Sequence, residues 1–319
     1  MEPALPPGWV KALSSEHQRY YWFDTATGAS QWMPPPPPDP DAAAEEPSRK
    51  RPRPSDGPPR VAVIVPFRDL HVAQKRAEHL RKFAPHMHAF LGGDASGHKV
   101  FIIEQSDDGL KFNRGKLLNI GFDIAAREGF DLFVFHDVDL LPHRALAPLY
   151  MRDPGEHPLH IAGLWDRYSD NPRYCGGIVN FSRAQFRRIN GFPNFFWGWG
   201  GEDDEMYLRV EAVGMRFKRP AMPPDFPKDQ AIIEDLEGMN IEAKMSFLRQ
   251  HSDWKCMIKR ELLAEHAASW RSNGLADLRY AVAARDDAHL GGACVKVTVE
   301  LGLNDHEYSD YKANINVKD

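Results

Sequence analysis

Cysteine is scarce in this chain: three among 319 residues, Cys175, Cys256 and Cys294. So few, odd in number and not at metal-ligand spacing, they fit a reducing compartment or plain core thiols. No apolar run reaches the length of a membrane span. The opening MEPALPPGWVKAL lacks the charged-then-apolar order of a secretory signal. The chain itself therefore predicts a cytoplasmic or nuclear protein with no membrane span. Positive charge is not in excess either. A net charge of -5 provides no basic field, so nucleic acid is not an expected partner. Nor does a Gly-rich loop follow the first apolar strand, which argues against a dinucleotide or P-loop triphosphate as donor. Apolar residues are plentiful: 42% hydrophobic against 27% charged allows a sizeable core.

Residues 1–38 carry aromatic runs separated by polar turns: Leu5-Pro6, Gly8-Trp9, then Tyr20-Tyr21-Trp22-Phe23, Asp24, Trp32 and Pro35. That pattern predicts a short antiparallel meander with Tyr21 and Phe23 on one face and Trp22 on the other. The unit resembles a WW domain, a small three-stranded all-β module, with Asp24 where that family more often has Asn. The resemblance implies a mini-core of Trp9, Trp22 and Pro35. It also implies a groove of Tyr21, Phe23 and Trp32 for a Pro-rich peptide or protein. Residues 39–60, preceded by Pro34 to Pro38, are Pro-rich, charged and nearly free of aliphatic side chains, which predicts a disordered linker. Arg49, Lys50, Arg51 and Arg53 within it form a short basic cluster, a weak nuclear-targeting pattern for which a solvated linker is the simpler reading.

From residue 61 to 319 the composition is that of one larger domain. Val61–Val65, Val100–Ile103 and Leu132–Phe135 read as buried strands. Residues 70–91, with a possible break near Pro85, and 114–127 read as helices. Apolar strands alternating with helices predict an α/β fold with a mostly parallel sheet covered on both faces. A later strand over Gly176–Phe181, a helix over Arg183–Ile189 and a helix opening at Glu202 complete the pattern.

Chemistry concentrates in two stretches. FVFHDVDLLP (133–142) ends an apolar strand in Asp137 and Asp139. In extended chain, residues two apart share a side, so both carboxylates are expected to project together at the edge where α/β sheets bind ligands. Hard oxygen donors there suit a divalent cation, while a plain turn is the structural alternative. NGFPNFFWGWGG (190–201) is an aromatic, glycine-rich loop whose rings suit sugar faces, and it runs into Glu202-Asp203-Asp204-Glu205. The helix dipole favours acids in a first turn, but four in succession exceed what it accounts for.

Together VPFR (65–68), FNRGKLLNIGF (112–122), HDVDLLP (136–142), YCGG (174–177), NGFPNFFWGWGGEDDE (190–205) and SNGLADLRY (272–280) resemble the β-1,4-galactosyltransferase family, closest in wording to its xylosylprotein branch. The resemblance implies a GT-A-like nucleotide-sugar-binding domain and an inverting transferase using UDP-galactose, Mn2+ and a glycan or glycoconjugate acceptor. It assigns Asp203 as catalytic base and Asp139 as metal ligand. His251 is the best candidate for a second ligand and His266 the runner-up. Donor positions are Pro66, Phe67, Arg68, Phe112, Arg114, Asp137, Val138, Arg167, Tyr174, Gly177 and Trp199. Acceptor positions are Trp199, Gly201, Glu202, Asp203 and Asp204. The family is ordinarily found in the Golgi lumen, in tension with the reading from the chain itself. Two other readings stay open: a WW adaptor on a catalytically weak glycosyltransferase fold, and the same fold with another UDP-sugar.

Overall fold

A computed structural model describes residues 9–14, 19–25, 30–31, 59–69, 74–93, 97–251 and 254–303. In the N-terminal unit β1 (Trp9–Ser14), β2 (Arg19–Asp24) and β3 (Ser30–Gln31) form an antiparallel sheet, Lys11 facing Trp22 and Trp22 facing Gln31. Alternation divides β2 as expected. Trp22 is buried, Tyr21 and Phe23 are half-buried, and the Lys11 ammonium lies 4.6 Å from the Tyr20 ring. Trp32 and Pro35 lie outside the described residues, as do positions 39–58 of the linker.

The larger unit is built on β4 (Val61–Phe67), β5 (His98–Gln105), β6 (Leu132–His136), β8 (Leu159–His160), β9 (Ile178–Ser182), β11 (Tyr280–His289) and β12 (Cys294–Leu301). They form one seven-stranded sheet in the order β11-β12-β5-β4-β6-β9-β8. The four middle strands β12, β5, β4 and β6 run parallel, and the pairings beyond them on both sides are antiparallel. The parallel sheet expected from the apolar strands is therefore its centre, with antiparallel flanks.

Residues of period two feed two separate cores. Ala62 and Ile64, Phe101 and Ile103, and Phe133 and Phe135 face one side. There they meet Leu117, Leu118, Ile120 and Phe122 of α2 (Arg114–Arg127). Val61, Val63, Val65, Val100, Ile102, Leu132 and Val134 face the other side, against Leu80, Phe83, Ala84 and Met87 of α1 (Arg76–Phe90). Strands covered on both faces explain the unbroken apolar runs in the sequence. Truncating a fully buried ring such as Phe133 costs about 3–5 kcal/mol. The helix expected over 70–91 begins at Arg76, and Pro85 lies inside it without ending it. Residues 70–73 are outside the described set.

Two local features lay outside the sequence reading. β7 (Leu140–Pro142) pairs antiparallel with β10 (Ile233–Asp235), laying the segment after β10 beside the Asp137–Asp139 turn. That segment leads into α7 (Ile241–Gln250), whose first turn is capped by the Asn240 side chain accepting from Ala243 N–H. Further along, β12 inserts beside β5 and leaves β11 as an exposed edge. Short helices α3 (Ala147–Tyr150), α4 (Asp166–Ser169) and α5 (Arg183–Arg188), then α6 (Glu202–Ala212), α8 (Lys259–Ala264) and α9 (His266–Ser269), complete the fold.

Candidate active site

β4, β5 and β6 end on the same edge of the sheet, at Phe67, Gln105 and His136, and α2 starts there. This is the carboxyl end of the parallel strands, where open α/β sheets bind ligands.

The Asp pair does not sit in extended chain. β6 stops at His136, and Asp137 to Leu140 form a turn closed by Leu140 N–H donating to the Asp137 carbonyl at 3.3 Å. His136 Nδ1 donates to the Asp137 carbonyl at 2.8 Å, and Nε2 lies 2.8 Å from the Tyr150 hydroxyl. Burial lowers this imidazole to about 4, so it is a neutral brace for the turn. Leaving the strand gives each carboxylate its own cation. Asp137 Oδ1 accepts from Arg114 Nε at 2.9 Å and Nη2 at 2.8 Å. Asp139 Oδ2 accepts from Arg76 Nη1 at 2.5 Å. Burial raises the Asp137 carboxyl above its ordinary range despite Arg114, whereas at Asp139 burial is outweighed by Arg76 and Lys244 together with hydrogen bonding, and the carboxyl is held below it.

Arg114 is the hub. It occupies the first turn of α2, whose cap is the Asn113 side chain accepting from Lys116 N–H. Its Nη1 donates to Asp203 Oδ1 at 2.9 Å and lies 3.7 Å from Glu202 Oε1. The guanidinium assigned by resemblance to donor binding thus bridges Asp137 and Asp203. Arg68, another expected donor position, donates to the Leu110 carbonyl at 2.6 Å and to Asp108 at 3.0 Å. Phe112 is half-buried, and its carbonyl accepts from Gly198 N–H at 2.8 Å. Pro66, Phe67 and Val138 are buried beside these groups.

The four acids that open α6 each receive a different environment. Glu202 is buried with one oxygen unpartnered, and desolvation, then the neighbouring Asp203 charge, raises it to about 8. Asp203 goes to Arg114. Asp204 pairs with Lys259 at 2.5 Å on the exposed side. Glu205 turns inward to Arg209 at 3.2 Å and His266 Nδ1 at 2.8 Å. The repulsion implicit in the sequence is dispersed by Arg114, Lys259 and His266, which the sequence places far away, and by Arg209 one helical turn on.

Above Asp203 lies the YCGG segment. The Tyr174 ring, half-buried and hydrogen-bonded to Tyr168, packs 4.3 Å from that ring, and desolvation pushes its phenol well up. Gly176 has no room for a side chain: a Cβ would lie 2.5 Å from Asp203 Oδ2 and closer still to the Tyr174 hydroxyl. Gly177 adopts φ 83°. Trp199 is 48% exposed, and its backbone is clamped by Trp254 and Cys256. Gly198, at φ 91°, lets the loop pass Lys255, whose backbone carbon would lie 2.6 Å from a Cβ there. Gly201 caps α6 at φ 106°.

Arg167, an expected donor position, donates to Asp235 at 2.5 Å and to the Met239 carbonyl at 2.9 Å. It lines a cavity of about 600 Å³ with Gly238, Asn240 and Glu242. The histidines are placed otherwise than a ready metal set requires. His251 ends α7 with its ring 4.7 Å from Trp254 and 4.5 Å from Phe247, and His266 is bound to Glu205. Among the described residues no group of three or more His, Cys, Asp or Glu is assembled to hold a metal. The oxygen donors fit in part: Asp139 and Glu237 both bind Arg76, Glu237 at 3.1 Å, and so already surround one cation position. Arg76, Asp235, Glu237, Lys244 and Gly176 are site residues that sequence reasoning missed. None stands out by type or spacing; only the acidic IIED-x-E run hinted at Glu237.

Comparisons with known proteins identify what the chain is similar to. The chain matches the N-terminal region of glycosyl transferase group 7 over residues 42–150, the N-terminal domain of galactosyltransferase over 156–232 and the WW domain over 5–35. It is 35% identical over 240 residues to Homo sapiens β-1,4-galactosyltransferase 4, covering 73% of this chain and 61% of that protein. It is 34% identical over 260 residues to Homo sapiens β-1,4-galactosyltransferase 3, covering 80% and 59%. The chain thus spans about three fifths of the length of these relatives. The solved catalytic domain of Drosophila β-1,4-galactosyltransferase 7 in complex with xylobiose superposes with a TM-score of 0.62 at 31% identity, over 77% of this chain and 95% of that one. A mutant of that protein complexed with manganese, UDP-Gal and xylobiose gives 0.62 at 30% identity, with the same coverage. No helix among the described residues is long and apolar enough to cross a membrane.

Proposed function

The chain belongs to the β-1,4-galactosyltransferase family, and we propose that it transfers galactose from UDP-galactose to a hydroxyl of a glycan or glycoconjugate, with inversion at the anomeric carbon. The observation that carries this reading is Asp203, held through Oδ1 by Arg114 while Oδ2 lies under Gly176 beside Tyr174. In the transfer the acceptor O–H gives its proton to Asp203 as its oxygen forms a bond to the galactose anomeric carbon. The bond from that carbon to the diphosphate oxygen breaks, and UDP leaves with the electron pair. Arg114 keeps Asp203 aimed. Glu202, neutral near pH 7, can donate a hydrogen bond to a sugar hydroxyl and adds no second charge beside the base. Gly177 and Tyr174 border the donor sugar, and Trp199 offers its exposed ring to the donor and acceptor sugars.

A divalent cation, Mn2+ in this reading, would be held by Asp139, with His251 proposed as a further ligand, and would neutralise charge on the leaving diphosphate. The neighbour complexed with manganese and UDP-Gal supports that cofactor. Arg167 lies on the same side as a cation for phosphate. The WW unit is proposed to hold the enzyme near a Pro-rich protein through Tyr21, Phe23 and Trp32, with residues 39–60 as tether. A second reading, an adaptor on a silent fold, is favoured by the diversion of His266 to Glu205.

Assaying wild type and Asp203→Asn with Mn2+ and a panel of UDP-galactose, UDP-GalNAc, UDP-glucose and UDP-xylose separates these readings. UDP-galactose turnover falling about 10³-fold in Asp203→Asn supports the transferase. Turnover that is absent in the wild type, or indifferent to the substitution, supports the adaptor.

A further inference from the structure

Arg76 belongs to none of the motifs that carried the functional reading, yet it is the cation bound to the most consequential carboxylate. It opens α1 and reaches across the sheet edge, Nη1 donating to Asp139 Oδ2 at 2.5 Å and Nη2 to Glu237 Oε1 at 3.1 Å. The Arg76, Asp139 and Glu237 side chains are 16%, 12% and 8% exposed, so little water screens these contacts. Lys244 of α7 holds the other Glu237 oxygen at 2.9 Å. The result is a chain of alternating charge, Asp139–Arg76–Glu237–Lys244, that joins α1, the Asp turn, the segment after β10 and α7. Asp139 is lodged where an unpaired carboxylate would be costly, and the guanidinium removes that cost. A divalent cation offers the same oxygen the same service at higher charge density. Two cations cannot share one carboxylate oxygen in a poorly screened site without strong mutual repulsion.

We infer that Arg76 is the resident counter-ion of Asp139, and that a divalent metal enters by displacing its guanidinium from Oδ2. Metal binding is then a cation exchange: the apparent affinity is the intrinsic affinity of the carboxylate reduced by the grip of Arg76, and Glu237 sets that grip. The inference rests on the reading of Asp139 as the metal carboxylate.

The test is Mn2+ binding to the full chain without donor or acceptor, followed by the free-Mn2+ paramagnetic resonance signal, in wild type, Arg76→Gln and Asp139→Ala. The expected result is at least tenfold tighter binding in Arg76→Gln and loss of the site in Asp139→Ala. Unchanged or weaker binding in Arg76→Gln, with Asp139-dependent binding in the wild type, overturns the inference and leaves the metal reading standing. Wild-type binding that Asp139→Ala does not alter overturns the metal reading and the inference together. Should Arg76→Gln fail to fold, the wild type itself decides. The Arg76 guanidinium N–H resonance, assigned with Arg76→Lys, shifts on saturation with diamagnetic Mg2+ if the contact is displaced, and a resonance that Mg2+ leaves in place overturns the exchange.

Discussion

Substituting Gly176 with Ala probes the candidate site with a single methyl group. Gly176, unlike Gly177, is not in the left-handed region, so alanine fits its backbone and any effect is steric. The methyl would lie 2.5 Å from Asp203 Oδ2 where real contacts begin at 3.0 Å, so the carboxylate must retreat by at least about 0.5 Å. The Tyr174 hydroxyl, closer still, must retreat further, and it is held by its hydrogen bond to Tyr168. Asp203 has less freedom than its exposure suggests, because Arg114 holds its other oxygen. Misplacing a catalytic group by about 1 Å costs on the order of 100-fold in rate, so kcat is expected to fall about 10- to 100-fold. Overpacking costs about 1–3 kcal/mol, and each kcal/mol lowers Tm by about 2–4 °C in a domain of this size. The assay is initial-rate galactose transfer at saturating UDP-galactose and acceptor, well below Tm, beside a thermal melt. A kcat within twofold of wild type would refute the placement of Asp203 and Tyr174 against Gly176, whether or not Tm falls.

Three other outcomes follow from named contacts. Glu202→Gln should stabilise the protein increasingly as pH rises from about 5 to 8: the native carboxyl keeps its proton to about 8 while the unfolded one, with its ordinary value of 4.5, loses it, so wild-type stability falls across that window and levels above it. Melts at both ends that show a pH-independent difference would contradict this. Tyr174→Leu should raise the kcat/KM ratio of UDP-GalNAc to UDP-galactose about 5- to 150-fold, an effect of roughly 1–3 kcal/mol, by opening space beside the donor sugar; a wild type that already prefers UDP-GalNAc removes Tyr174 from that role. Trp32→Ala should abolish binding of a Pro-rich peptide to the full chain, read by fluorescence anisotropy, while transfer rates stay unchanged; a parallel loss of transfer would mean the two units are coupled.

Much of the frame is written locally. The apolar runs at Val61, Val100 and Leu132 could only be strands covered on both faces, because no face is left for water. The period of two then assigns Ile64 and Val65 to opposite cores without further information. Asp139, Tyr174, Trp199 and Asp203 were singled out as expected site residues through the family resemblance, which rests on short motifs in which residue type and spacing go together. Where that locality ended, so did the reading. Asp137 and Asp139 were expected side by side in extended chain, but the strand stops at His136 and the turn gives them separate arginines.

The sequence by itself determined which elements form, the layered α/β class and the WW resemblance, since these depend on neighbours within a few residues. Tertiary structure alone decided the partners of the charges: Arg114 spanning Asp137 and Asp203, Arg76 clamped between Asp139 and Glu237, and Asp203, Asp204 and Glu205 of α6 sent to Arg114, Lys259 and His266. The physical reason is that a side-chain carboxylate carries no address for its counter-ion. Attraction between unit charges is the same for every arginine, and in a folded chain it is the packing of helices and strands, through contacts distant in sequence, that determines which guanidinium arrives within 3 Å.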